Sequence, residues 1–333
     1  MPKANLQSTR RYEIPGDSQM QDSVLRHYWY PVALSEEVAD TPVGAQVLGV
    51  PLAVYRAGER VHAVQDLCVH RGSPLSLGWV EGETLVCAYH GWQYAADGAC
   101  VHIPSLPPGG AIPRKARLTT YRAEDRYGLV WVCLDEPAAP IPSYPEAEDP
   151  SYHIVWTQYV WRANAARIIE NVMDFAHFPW VHPGILGDRT RPVYPPVTVE
   201  RRDGELHYVL DDEQTNAIRL YRVSLPFTLH MTVRRRTPGD DDYKTNALFF
   251  PGCPMSAHET KHYFGYARNY DHDASDEPFA TGSIGIMAQD QRIVERQRPE
   301  QLPLDLSAEL HLRGPDAAAL EYRRALADLG VAW

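Results

Sequence analysis

Five cysteines in 333 residues are too few and too scattered for a disulfide scaffold. No stretch reaches the ~20 consecutive apolar residues of a membrane-spanning helix, and the opening residues MPKANLQSTRRYEIPGDSQM hold no apolar signal core. The expectation is a cytoplasmic protein without a membrane partner. Basic residues are outnumbered: 32 Lys and Arg stand against 43 Asp and Glu, a net charge of -11. The longest basic run, Arg234-Arg235-Arg236, is soon followed by Asp240-Asp241-Asp242, which argues against a nucleic-acid partner. Internal repeats and low-complexity tracts are absent. The glycines of 44–49 and Pro108-Gly109-Gly110 form neither a phosphate loop nor a G-x-G-x-x-G fingerprint, so no nicotinamide or flavin site is visible. Any redox centre here draws its electrons from another protein.

What is present is enough apolar residue, 44%, for a sizeable core, and at roughly 150 residues per domain the length suggests two domains. Between about Ala45 and Leu134 the chain reads as short β-rich runs split by turns: QVLGV, LAVYR, VHAV, TLVC, WQY, CVHI and GLVWVCL. A Pro-rich stretch, EPAAPIPSYPEAEDP, follows at 136–150; its five prolines cannot continue a sheet or a helix, and it reads as a linker. Beyond it come HIVWTQYVW, a helical segment around Ile168 to Phe178, alternating runs from about Val197 to Arg268 and two further helical segments. That half reads as an antiparallel sheet with helices on it, an α+β arrangement.

Two short motifs carry chemistry. Cys68-Val-His70-Arg-Gly is followed, with 16 residues between His70 and the next cysteine, by Cys87-Ala-Tyr-His90-Gly, each pair on a turn leaving a strand. One such pair is easily two ordinary side chains. Two pairs point to a metal: either a closed zinc shell of two cysteines and two histidines or, fitting better, a 2Fe-2S cluster in which two histidines replace two cysteines on one iron. Cys100, Cys133 and Cys253 lack a partner nearby and are expected to be buried thiols.

The second motif is Glu170-Asn-Val-Met-Asp174-Phe-Ala-His177-Phe-Pro-Trp-Val-His182. On a helix, Asp174 and His177 share a face as i and i+3. His182 would be ~140° away from His177 at ~100° per residue, but Pro179 between them kinks or ends the helix and lets His182 swing back. Two histidines and one carboxylate make a facial triad that leaves positions open on Fe(II). On chemistry alone Asp290, in the helical segment IMAQDQRIVERQ, competes with Asp273, Asp276 and Glu295 for the third place. Ile286, Met287, Ile293 and Val294 are the apolar positions expected on that helix. His258 and His262 have the i, i+4 spacing of a helical chelate, yet they fall in a run reading as strand, KHYFGYARNY.

CVHRGSPLS with CAYHGWQY resembles the Rieske domain of the Rieske non-heme iron oxygenases, and HYWYPVA and YGLVWV resemble its flanking elements. Ser73 and Tyr89 stand where the respiratory branch carries a disulfide, which places the likeness with the oxygenase or ferredoxin type. N-x-x-D-x-x-H-x(4)-H and the late Asp290, Ile293-Val294, Glu295 extend it through the second half. The resemblance implies an N-terminal all-β Rieske domain at 26–138 after an extension at 1–25, a Pro-rich linker at 139–150 and an α+β iron domain at 151–333. It implies Cys68, His70, Cys87 and His90 as cluster ligands and His177, His182 and Asp290 as mononuclear iron ligands. Asp174 would bridge His177 to the second cluster histidine, His90, of a neighbouring subunit in a homotrimer; a helix-dipole aspartate is the alternative. Asn171 would be a further polar group near the iron, or a plain surface amide. The implied activity is that of a terminal oxygenase component, using dioxygen and NAD(P)H electrons from a separate reductase, with or without a ferredoxin. It would demethylate or hydroxylate an aromatic or heterocyclic substrate; cis-dihydroxylation and a pure electron carrier are the alternatives. Phe227, Leu229, Leu248 and Phe250 suggest an apolar pocket or simple core packing.

Overall fold

The computed structural model describes residues 24–213, 215–236 and 243–332. Nearly all of the expected extension at 1–25 and Asp240 to Asp242 lie outside these residues. The first half contains β1 (Tyr30–Leu34), β2 (Val43–Val47), β3 (Val50–Ala57), β4 (Arg60–Gln65), β5 (Trp79–Glu81), β6 (Thr84–Val86), β7 (Gln93–Tyr94), β8 (Cys100–His102), β9 (Thr120–Arg126) and β10 (Leu129–Cys133). They form an antiparallel sheet of order β1-β10-β9-β4-β3-β2 and a smaller one of order β5-β6-β7-β8. The smaller sheet carries one expected ligand loop before β5 and the other between β6 and β7.

β10, LVWVC, is buried on both faces, as an unbroken apolar run requires. Val130 and Val132 join the main core, while Leu129, Trp131 and Cys133 pack with Phe249 and Tyr263 of the second half. The halves are also stitched by backbone: at the two-residue turn between β2 and β3, the amides of Leu48 and Gly49 donate to the carbonyls of Pro254 and Met255 at 2.7 and 2.8 Å.

The Pro-rich stretch forms no strand and no α-helix, only a single 3-10 turn at Pro145–Ala147, and it is packed rather than free. Ile141 and Tyr144 are buried, Tyr144 stacks on Phe249 at 4.4 Å between ring centres, and Glu146 pairs with His230 at 2.9 Å. Its aromatic and apolar residues gain more by burial than a solvated tether would.

The second half is a seven-stranded antiparallel sheet with helices. β11 (His153–Trp161) leads into α1 (Ala165–Met173) and α2 (Phe178–Val181). Then come β12 (Glu200–Arg202), β13 (Glu205–Asp212), β14 (Ala217–Ser224), β15 (Thr228–Arg236), β16 (Tyr243–Pro254), β17 (Thr260–Arg268), α3 (Glu277–Val294) and α4 (Ala317–Asp328). The sheet order is β11-β17-β16-β15-β14-β13-β12. This is the α+β arrangement expected. α1 begins at Asn164, whose side chain accepts from the Ala166 amide. It is clamped to α4 by Arg323, whose guanidinium donates to both carboxylate oxygens of Glu170 at 2.6 Å and to Glu309 at 2.6 Å. Buried charges of this kind persist only when paired on several sides.

Candidate functional site

The two Cys-His loops have the same backbone construction. The Cys68 amide donates to the Ser73 carbonyl at 2.8 Å and the Gly72 amide donates back to the Cys68 carbonyl at 2.9 Å. In the other loop the Cys87 amide donates to the Trp92 carbonyl and the Gly91 amide to the Cys87 carbonyl, both at 2.9 Å. Gly72 and Gly91 sit at φ of +71° and +67°, a region glycine reaches without strain. That is why each pair is followed by glycine. The loops bring the His70 and His90 rings to 4.4 Å between centres, with Trp92 stacked on His70 at 4.6 Å. Both sulfurs belong to buried residues, and the Tyr94 hydroxyl lies 3.1 Å from the Cys68 Sγ. All five cysteines are free. Gly78 packs this loop on the other: a Cβ there would lie 1.9 Å from the carbonyl oxygen of Val86, the residue before Cys87.

The second motif folds differently from a continuous helix. α1 ends at Met173, and Asp174 is extended at φ -77°, ψ 146°. Its carboxylate accepts from the amides of Ala176 and His177 at 3.0 and 3.1 Å, a local bond that competes with helix propagation. The break is therefore at Asp174, and Pro179 sits inside the first turn of the short α2, where its missing N–H costs nothing. His177 and His182 flank that single turn, so both rings face one point, their centres 5.2 Å apart.

Asp290 reaches the same point from α3. His177, His182 and Asp290 form the one His/Cys/Asp/Glu group among the described residues whose ligand atoms all lie within 4.8 Å of one another. The competing carboxylates are elsewhere: Asp276 pairs with Arg268 and His153, and Glu295 with Arg162 and Gln291. On α3 Met287 and Val294 are buried as expected, whereas Ile293 is exposed. His262 lies in β17, fully buried, and His258 lies before that strand, paired with Glu300.

The chemistry of the donor set decides what this point can hold. His177 Nδ1 donates to Asp174 Oδ2 at 2.9 Å, and His182 Nδ1 donates to Gln289 Oε1 at 2.7 Å. With the proton on Nδ1, each neutral ring presents a lone pair on Nε2. Those two Nε2 atoms and Asp290 Oδ1 are buried without a hydrogen-bond partner, although Oδ1 lies 3.0 Å from His182 Nε2 and 3.5 Å from His177 Nε2. Three electron-pair donors facing one another call for a cation between them. Burial alone would lower the His182 pKa, but the Asp290 carboxylate and the Gln289 amide oxygen outweigh it and hold the imidazole above its ordinary value. Positive charge is favoured there, and the set is that of a divalent transition metal.

These residues close one end of a cavity of about 160 Å³. Leu248, Met231, Phe264 and Ile286 give it apolar walls, and Asn171 lines it with a buried Nδ2 that has no partner. Of the four residues expected at an apolar pocket, only Leu248 reaches it. Leu229 and Phe250 form the neighbouring cross-strand pair on the same sheet face and, with Phe227, belong to the core. Gln289, Tyr94 and Trp92 were not foreseen; Gln289 had no signal beyond its place beside Asp290.

No described helix is long and apolar enough to cross a membrane. Residues 28–122 match the Rieske 2Fe-2S domain family, and residues 161–332 match the vanillate O-demethylase oxygenase C-terminal domain. The chain is 33% identical to methylxanthine N1-demethylase NdmA of Pseudomonas putida over 322 residues, covering 92% of this chain and 89% of the relative. It is 26% identical to the vanillate O-demethylase oxygenase subunit of a Pseudomonas strain, covering 90% and 93%. The solved structure of NdmA with caffeine superimposes with a TM-score of 0.84 at 32% identity, covering 92% of this chain and 91% of that one. The chain is an oxidoreductase of the Rieske non-heme iron oxygenase family, a Rieske domain followed by an oxygenase domain of the vanillate O-demethylase type.

Proposed function

We propose that this chain is the terminal oxygenase component of a demethylase, oxidising an N- or O-methyl group of an aromatic or heterocyclic substrate. The observation that carries this reading is the meeting of His177 Nε2, His182 Nε2 and Asp290 Oδ1, all unpartnered, at the end of a largely apolar cavity. Residues 26–138 would carry the cluster on Cys68, His70, Cys87 and His90, and residues 151–333 the iron, joined by the packed segment 139–150. A 2Fe-2S cluster and Fe(II) in these places supply, when bound, electron storage and dioxygen chemistry, fed by a separate reductase that draws on NAD(P)H.

The chain's own part is positioning. Asp174 and Gln289 fix the tautomer and tilt of the two imidazoles. The apolar walls hold the substrate's ring and keep bulk water from the methyl group. A methyl group hydroxylated there is a hemiaminal or hemiacetal, which loses formaldehyde without further help.

A head-to-tail homotrimer fits the surfaces at the two ends of this path. Leu77 and Tyr89, beside the cluster loops, and Trp180 and Ile185, beside His177 and His182, are more than half exposed, and partners of this apolar kind are usually buried in an interface. The Asp174 side chain is partly exposed, which leaves it open to His90 of a neighbour.

The test is formaldehyde release from methoxy- and methylamino-aromatic compounds with a reductase and NADH. His177→Ala should keep the cluster's absorption and lose formaldehyde. Turnover surviving that substitution would sink the assignment.

A further inference from the structure

The small sheet sorts charge from one end to the other. In the antiparallel meander β5-β6-β7-β8, the β5–β6 and β7–β8 turns lie at one end. The Cys87–Trp92 loop, the start of β5 and the end of β8 lie at the other. Residues 67–118 contain three carboxylates, all at the first end: Glu81 and Glu83 flank the β5–β6 turn, and Asp97, in the β7–β8 turn, pairs with Arg117 at 3.0 Å. The same residues bring no carboxylate to the cluster end, in a chain whose net charge is -11. Asp66, just before them, is turned in to the Ser76 amide and hydroxyl at 2.7 and 2.6 Å. The cluster end presents Arg71 beside His70, His102 at the end of β8, and Arg114 and Lys115. The last two return alongside β8, where the Cys100 amide donates to the Ala116 carbonyl at 2.9 Å. Arg71, Arg114 and Lys115 are exposed and have no carboxylate partner among the described residues. Val69 and Val101, in the same loop and strand, are exposed as well. His70 Nδ1 is buried without a hydrogen-bond partner, as a ligand atom of the cluster would be, so the Nε2 edge of that ring is the outer one.

Resting on the oxygenase reading above, we propose that this end of the small sheet is the docking face for the electron donor, with Arg71, Arg114 and Lys115 as its cations, and that the donor is a protein whose redox centre is ringed by carboxylates. One electron at a time passes from the donor's reduced centre to the cluster, entering on the His70 side, while His90 faces the neighbouring subunit. An acidic donor is repelled by the bulk of a chain carrying -11 and attracted where carboxylates are missing. The field that raises its rate of encounter therefore also turns it toward the cluster. The exposed valines supply the apolar contact at the centre of such a face, and the cations its polar rim.

The test uses the full-length, anaerobic protein with an acidic plant-type 2Fe-2S ferredoxin as the donor probe. At about 10 mM salt the oxidised ferredoxin should bind by calorimetry, and the reduced form should reduce the cluster, followed by absorbance. Both should weaken at least about tenfold at about 1 M salt, where the screening length shrinks from about 30 to about 3 Å. Arg71→Glu, Arg114→Glu and Lys115→Glu combined should slow that reduction at least about tenfold and abolish the binding heat. Reduction by methyl viologen, a small cation, should be no slower in the same variant. Arg60→Glu, at the end of β4 away from the Cys68 loop, should change neither binding nor rate. A rate that ignores salt, or one that survives the triple reversal, overturns the proposal. The salt series is read on the unaltered protein and stands even if the reversal costs the cluster. Ferredoxin reducing the cluster through this face without formaldehyde release would sink the oxygenase reading alone.

Discussion

Oδ2 of Asp174 accepts two hydrogen bonds from His177, one from its backbone amide at 3.1 Å and one from Nδ1 at 2.9 Å. One carboxylate oxygen thus ends α1, shapes the turn into α2 and fixes the imidazole. Sequence and site are joined at this residue.

Replacing it separates those effects from the cluster. Asp174→Ala should lower formaldehyde formation by about 10–100-fold, the usual cost of losing a carboxylate behind a metal-bound histidine, while the cluster's EPR signal stays unchanged. Activity equal to wild type would reduce Asp174 to a residue that closes a turn.

The cluster loops have their own weak point at Gly78. A methyl group there meets the Val86 carbonyl oxygen at 1.9 Å, and backbone atoms cannot give way without moving Cys87. Gly78→Ala should therefore yield protein depleted in acid-labile sulfide, with the second half still folded by circular dichroism. Full sulfide content would contradict the packing described.

A third prediction concerns acid stability. His262 is fully buried, stacked on Phe250 at 4.9 Å, with neither ring nitrogen hydrogen-bonded. Burial lowers its pKa from 6.5 to about 3. Between those values the unfolded chain binds one more proton than the folded one, so stability falls as the pH drops through that window, by about 1.4 kcal/mol per pH unit. His262→Phe should remove this loss, gaining about 2 kcal/mol on wild type between pH 7 and pH 5. Urea denaturation at the two pH values measures it, and parallel acid limbs would refute it.

The α1–α4 clamp is the fourth. Arg323→Ala strands Glu170, which loses both of its guanidinium bonds, while Glu309 keeps only the buried Arg167, which donates to it at 2.7 Å. A loss of about 3–5 kcal/mol in the second half is expected from breaking such a pair, read as an earlier urea transition. A shift under about 1 kcal/mol would place the clamp with exposed ion pairs of little weight.

Much of this was legible because the informative residues are close in sequence. The Cys-His loops are each five residues long, with turn chemistry written in their glycines. The strand runs from LAVYR to GLVWVCL are recognisable by composition, whereas QVLGV straddles the Leu48-Gly49 turn between β2 and β3, and β5 and β9 escape: β9, TYRAEDR, is half exposed and rich in charge. The helix break was misread because Pro179 is the conspicuous breaker, whereas Asp174 acts through a side-chain bond that competes with the backbone. Pocket residues were the least legible. Leu248 and Phe250 lie on one face of one strand, and only the placement of α1 and α3 over the sheet makes the first a wall and the second core.

The most direct test of the central claim is iron and acid-labile sulfide analysis with EPR on anaerobically purified protein, before and after dithionite. About three irons and two sulfides per chain and a Rieske-type signal on reduction are expected; Asp290→Ala should lose one iron with the sulfide and the signal unchanged. Zinc without sulfide, or a third iron that survives Asp290→Ala, would contradict that claim.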